Sequence, residues 1–148
     1  MRASILLRIA SIITLLYCAG HTSGYPWTPA VGEREMAIVE SMKSDQFDLM
    51  GSMRSFWDFY IGFGLVVSGF MLAIAVALWQ IASLAKRGVN GTRPMIITFF
   101  IAFVINTILD LQFFFVIPIV MAAVISVLLI IAFIVAPAEA RKAKSVAS

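Results

Sequence analysis

The chain has one cysteine, Cys18, and one histidine, His21. A lone thiol excludes an intrachain disulfide and a CxxC pair, and with them self-contained dithiol redox chemistry; Cys18 reads as a small buried hydrophobe. One histidine among scattered acids lacks the ligand spacing of a metal centre, so no metal site is expected. There is no GxSxG, no phosphate-binding glycine loop and no HExxH, which leaves nucleotide hydrolysis, serine hydrolase and zinc protease chemistry without a carrier. Internal repeats and low-complexity runs are also missing. Charge is scarce: 13% of residues are Asp, Glu, Lys or Arg, against about 25% in an average soluble domain. What fills the chain is apolar, 61% of its 148 residues. That balance marks an integral membrane protein whose first partner is the lipid bilayer. The net charge of +3 then reads as topology, and no nucleic-acid partner is expected.

The hydrophobic runs predict an all-α membrane protein, a four-transmembrane-helix bundle with a short outer amphipathic helix, in a single domain over 1–148. The first span covers about 3–20, roughly 27 Å at 1.5 Å per residue and just enough to cross. Arg8 interrupts it, and its long stem can lift the charge to the headgroups. We read this segment as a retained helix, although MRASILLR, IASIITLLY and CAG also match the basic, apolar and small-residue regions of a signal peptide. The second span, about 56–84, is long enough to tilt or to project from the bilayer. From Pro94 to Ala136 the chain is apolar almost without a break, roughly 65 Å as one helix and twice a hydrocarbon core, so it must fold back. Asn106, Asp110, Gln112 and Pro118 mark the turn between a third span at 95–111 and a fourth at 116–135. Pro118 suits the first turn of a helix, where its missing N–H has no partner to lose.

Orientation follows from Lys and Arg. Arg2, Arg8, Lys86, Arg87, Arg93, Arg141, Lys142 and Lys144 share one side of a four-span chain, and only Arg34, Lys43 and Arg54 fall on the other. The positive-inside rule therefore predicts both termini in the cytoplasm, with a tail at 136–148, and the segment 21–55 outside. An NGT sequon at Asn90 then lies on the wrong side for glycosylation and is more useful as an Asn-Gly turn. In the outer segment, YPWTPAVG is extended or turning, and Tyr25 and Trp27 suit an interfacial aromatic belt. Met36, Val39, Met42 and Met50 recur at helix-like spacing among charges and predict an amphipathic helix on the outer surface.

SFWDFYIGFG, from Ser55 to Gly64, places an acid at the mouth of the second span. At about 100° per residue, Asp58, Gly62, Leu65, Gly69, Ala73, Val76 and Gln80 share one sector. Gly62, Gly69, Ala73 and Ala77 form a small-residue series suited to close helix packing in lipid. Ser55-x-x-Asp58 also matches a capping box. Asp110 is less easily explained, since an anion near a helix C-terminus opposes the dipole. With Asn106 one turn deeper, and with His21 above Tyr17 and Thr14 on the first helix, the sequence predicts a polar pocket of His21, Asp58, Asn106, Asp110 and Gln112 in the outer half of the membrane. Ionisable groups at such depth suggest function.

GHTSG at Gly20, PWTPAVG at Pro26, FDLMGS at Phe47 and RSFWDFYIGFG at Arg54 resemble a family of uncharacterised small bacterial four-span inner-membrane proteins. The resemblance is best over 20–80 and implies a bacterial inner-membrane location and the four-helix fold, but no activity. Similarity to DoxX-like four-helix membrane proteins is looser and rests on the span pattern alone. The expected function is binding of a small amphipathic molecule or lipid, quinone-like ligands included, or support of a partner protein, through the outer pocket. No cofactor is implied by any motif. One alternative is a membrane-embedded enzyme using His21 with Asp58 or Asp110 as acid and base. Another is a proton-coupled transporter or channel subunit, with Asp110 as carrier, acting as a homo-oligomer.

Overall fold

The computed structural model describes residues 2–24 and 27–146, with side chains described as far as Ala136. Tyr25 of the expected aromatic belt lies outside the described residues. The element order is α1 (Ala3–Thr22), α2 (Glu33–Ser44), β1 (Gln46–Leu49), β2 (Ser52–Ser55), α3 (Phe56–Lys86), α4 (Thr92–Phe113) and α5 (Val116–Val146). Four helices are long and apolar enough to cross a membrane: α1, α3, α4 and the Val116–Ala136 part of α5.

The helix ends follow local chemistry. α3 stops in a Schellman motif: Gly88 takes φ +68°, its N–H bonds Ala85 O at 3.2 Å, and Val89 N–H reaches back to Leu84 O at 3.2 Å, so two orphan carbonyls are satisfied. Gly91, at φ +94°, opens α4. At the far end of α4 the Phe114 N–H bonds Asp110 O at 2.9 Å, and α5 starts two residues later with Pro118 in its first turn. The turn falls between the third and fourth long helices, where the sequence places it. α5 continues as helix through 146, beyond the 135 read from hydropathy alone.

Contacts divide the chain into two compact units, Met1–Tyr17 with Met71–Ser148, and Cys18–Phe70. In the first, Leu6, Leu7 and Ala10 of α1, Leu78 and Ala82 of α3, Ile96 and Phe103 of α4, and Ile125 and Leu129 of α5 belong to one core. The most extensive helix pair is α4 with α5. Ser11 Oγ donates to Ala75 O at 2.7 Å, tying α1 to α3. The face that α3 buries is Ala75, Leu78, Ile81, Ala82 and Ala85. Close approach within the chain therefore falls on these alanines, with Ala75 lying about 200° round the helix from Ala73. Gly69 and Ala73, expected in the packing face, are exposed, and Ala77 is half-buried. A Cβ at Gly62 or Gly69 would meet nothing within 4 Å. Arg8 lays its guanidinium 5.0 Å from the Trp79 ring, a contact worth more when desolvated. Its buried Nε has no hydrogen-bond partner among the described residues.

The second unit holds a departure from the sequence reading. The helix expected to run on towards Met50 ends at Ser44, and the chain then forms an antiparallel hairpin pairing Phe47 with Arg54 and Leu49 with Ser52. Its two-residue turn, Met50 at φ 55° and Gly51 at φ 83°, has the positive φ values of a type I′ connection, whose twist matches that of paired strands. Asp48 Oδ1 accepts the Gly51 N–H at 2.8 Å and pins the turn.

Candidate functional site

β2 runs directly into α3, and Ser55 is both the last strand residue and the helix cap. Asp58 N–H donates to Ser55 Oγ at 3.2 Å, while Ser55 N–H donates to Asp58 Oδ2 at 2.8 Å. This reciprocal pair satisfies two backbone donors that a helix start leaves open. Asp58 is exposed beyond the cap.

Strand periodicity decides what faces α3. Phe47, Leu49, Ser52 and Arg54 share one face of the hairpin by the period of two and the observed register. Phe47 sits 5.1 Å from the Phe56 ring and 6.0 Å from the Phe59 ring, and Phe59 lies 5.9 Å from Phe63. Lys43, at the end of α2, places its ammonium 5.0 Å over Trp57. Below this aromatic clasp the hairpin and α3 leave an open groove of about 460 Å³. Arg54, Ser52 and Asp58 supply its polar atoms, and Leu49, Phe59, Phe63 and Val66 its apolar walls. Gly62 also lines it, and with no side chain of its own it keeps the floor open. On α3 these positions are i, i+1, i+4, i+5 and i+8 from Asp58, a single stripe. The volume falls within the range of small-molecule sites, and so does the lining, mostly apolar with a few fixed polar groups.

In the same unit, three residues at the end of α1 are tied to α3. His21 Nε2 lies 3.1 Å from Gly64 O, and since a carbonyl only accepts, Nε2 carries the proton of that bond. Cys18 Sγ donates to Ser68 O at 3.3 Å. Thr22 Oγ1 is 2.9 Å from Ser68 Oγ and 2.8 Å from Cys18 O, and Ser68 Oγ donates to Gly64 O at 3.0 Å.

In the other unit, Asp110 is only 4% exposed. Asn106 Nδ2 donates to its Oδ2 at 2.9 Å, and Tyr17 O–H donates to the same oxygen at 3.3 Å. Such bonds offset the cost of burying the carboxylate. Gln112, in the last turn of α4, is exposed.

Of the five polar residues read from sequence, the structure thus joins Asn106 to Asp110 directly. Asp58 bonds Ser55, and His21 bonds a backbone carbonyl. Arg54, Phe59 and Phe63 were not singled out as site residues, because only the unforeseen hairpin brings the arginine back against the helix. Among the described residues no three of His, Cys, Asp and Glu gather closely enough to hold a metal ion. Compared with models of known families, with curated proteins and with solved structures, the chain finds no match.

Proposed function

We propose that this is a small multi-pass membrane protein that binds a lipid or another small amphipathic molecule in the groove between the hairpin and α3. The observation that carries the reading is the groove's mixed lining: the Arg54 guanidinium, the Ser52 hydroxyl and the Asp58 carboxylate, with aromatic and aliphatic walls beside them. An anionic headgroup pairs with Arg54, for which a planar fork of donors suits phosphate or carboxylate, and an acyl or isoprenoid chain lies on Phe59, Phe63 and Val66. In this reading the groove faces the outer leaflet, both termini are cytoplasmic and the membrane is a bacterial inner membrane. The distribution of Lys and Arg and the resemblance carried by PWTPAVG and RSFWDFYIGFG support that placement.

Mass spectrometry of the protein purified in mild detergent tests the binding. The expected result is a retained amphiphile, anionic at neutral pH, whose occupancy falls several-fold in Arg54→Gln. A protein that emerges free of amphiphile, or whose occupancy is indifferent to Arg54, would sink the reading.

A second reading has its own observation. A carboxylate buried as deeply as Asp110, with a tyrosine hydroxyl and an amide on one oxygen, is the kind of group that transport pathways use. A proton-coupled role in an oligomer predicts uptake driven by a pH gradient in proteoliposomes and abolished in Asp110→Asn.

A further inference from the structure

The hairpin that walls the groove also has an apolar tip. Leu49 and Met53 are half exposed or more, and Met50 is fully exposed at the turn. We propose that this tip enters the headgroup–acyl boundary of the leaflet at the Phe56 end of α3, so that the lipid surface itself is its partner. The inference rests on the reading of α3 as a membrane span.

Depth is the first argument. Leu49 and Ser52, which flank the turn, line the same groove as Val66, a residue ten positions into α3 and so roughly 15 Å along its axis. The hairpin therefore folds back along the helix instead of projecting away from it. From Ile61 to Leu78 the only side chain of α3 able to hydrogen-bond is Ser68, so the groove that the tip helps to line runs from the polar start of the helix into its apolar stretch. The length of α3 fixes how deep the groove can reach. Its 31 residues measure roughly 46 Å, close to the roughly 40–45 Å of a bilayer with its headgroup regions. The first turns of α3 then stand among headgroups. A two-stranded sheet has unpaired N–H and C=O groups along both outer edges, which hydrocarbon does not tolerate. The boundary between headgroups and chains is where an apolar apex and wet edges can coexist.

The shape of the tip selects lipid over a protein surface. The register puts Leu49 with Ser52 on one face and Met53 with Asp48 on the other, so apolar groups project from both faces and from the apex. The Leu49 face stays on the groove with α3, and lipid, which has no fixed shape, can cover the Met53 face and the apex together. Met50 also occupies a left-handed conformation that asparagine or glycine adopts with less strain. Its long unbranched side chain, flexible and polarizable, suits a disordered acyl boundary.

Hydroxyl-radical footprinting of the unmodified chain in nanodiscs, one copy per disc, tests this, with oxidation read by peptide mass spectrometry. Met50 is more exposed on the protein than Met36 of α2, so in water it would oxidise faster. The proposal expects the opposite order, with Met50 several-fold slower than Met36 in the disc. Phe70, 67% exposed on the protein and in the middle of α3, reports separately on the membrane. Phe70 protected and Met50 oxidised as fast as Met36 would overturn the tip insertion while leaving the span intact. Phe70 oxidised freely would overturn the span, and the tip with it. Protection of Met50 only in discs holding two copies would make a second chain the partner and refute the lipid assignment.

Discussion

Gly62→Leu separates binding from folding. Gly62 lies in the interior of α3, its backbone is ordinary helix, and a Cβ built there meets nothing within 4 Å. Replacing glycine by a good helix former inside a helix is worth about 1 kcal/mol, so without ligand the variant is expected to be at least as stable as the wild type. The added side chain, however, enters the groove between Phe59, Phe63 and Leu49, where the ligand's chain is proposed to lie. A ligand at a hundred times its dissociation constant stabilises the folded protein by about 2.7 kcal/mol. That increment should appear for the wild type in chemical unfolding with added anionic lipid, and vanish in Gly62→Leu. Gly69→Leu is the control. Gly69 lies outside the groove with the same open surroundings, so this variant should gain helix propensity and keep the ligand response. Overpacking at Gly69, which the small-residue series would suggest, is not expected, since no neighbour stands in the way. A Gly62→Leu protein that still responds fully to lipid would refute the groove as the binding site.

Other substitutions probe the elements that hold the site. Ser55→Ala removes the hydroxyl half of the reciprocal cap, the Oγ that accepts the Asp58 N–H, and should cost about 0.5–2 kcal/mol of stability in chemical unfolding, whereas Ser44→Ala, at an exposed position, should be near neutral. Tyr17→Phe and Asp110→Ala each remove the hydrogen bond that the two residues share, so a double-mutant cycle should show coupling of about 0.5 kcal/mol or more, and simple additivity would mean that the pair does not interact. Met50→Asn relieves the left-handed turn and should raise hairpin stability by about 1 kcal/mol, seen as slower amide exchange over β1 and β2. For the proposed orientation, an impermeant thiol reagent on intact cells should label Met42→Cys and spare Asn90→Cys, each in a Cys18→Ser background; the reverse pattern would invert the topology.

Hydropathy carried the four long apolar helices because a helix able to cross lipid must be long and apolar whatever it packs against, and Pro118, with Asn106 and Asp110 before it, marked the reversal between the last two. Ser55-x-x-Asp58 was legible because a capping box is local. The hairpin was not. FDLMGSMRS alternates as a strand pair should, but its turn carries Met-Gly where Asn-Gly would have announced a type I′ connection, and its methionines also fit the helical period of the segment before it. Losing the hairpin hid the role of Arg54, which reads as an isolated loop charge until β2 folds it against α3. The face that α3 buries within the chain was hidden for a different reason. Gly69 and Ala73 are small, but small residues mark close approach only where a neighbour exists, and in this chain the neighbour of α3 is Ser11 of α1 at Ala75. Asn106 and Asp110 were a local pair at helical spacing. Tyr17 completes them from 93 residues away, a separation that no periodicity encodes.

The central claim is that an amphiphile occupies the groove between the hairpin and α3, and photo-crosslinking tests it most directly. An anionic phospholipid with a diazirine near the top of one acyl chain would be incorporated in proteoliposomes with the wild-type protein, irradiated, and its adducts mapped by peptide mass spectrometry. The account predicts adducts concentrated on Leu49, Phe59, Phe63 and Val66, and lost in Gly62→Leu. Adducts spread evenly over the exposed faces of all four long helices, unchanged by that substitution, would show that lipid merely surrounds the protein and would contradict the claim.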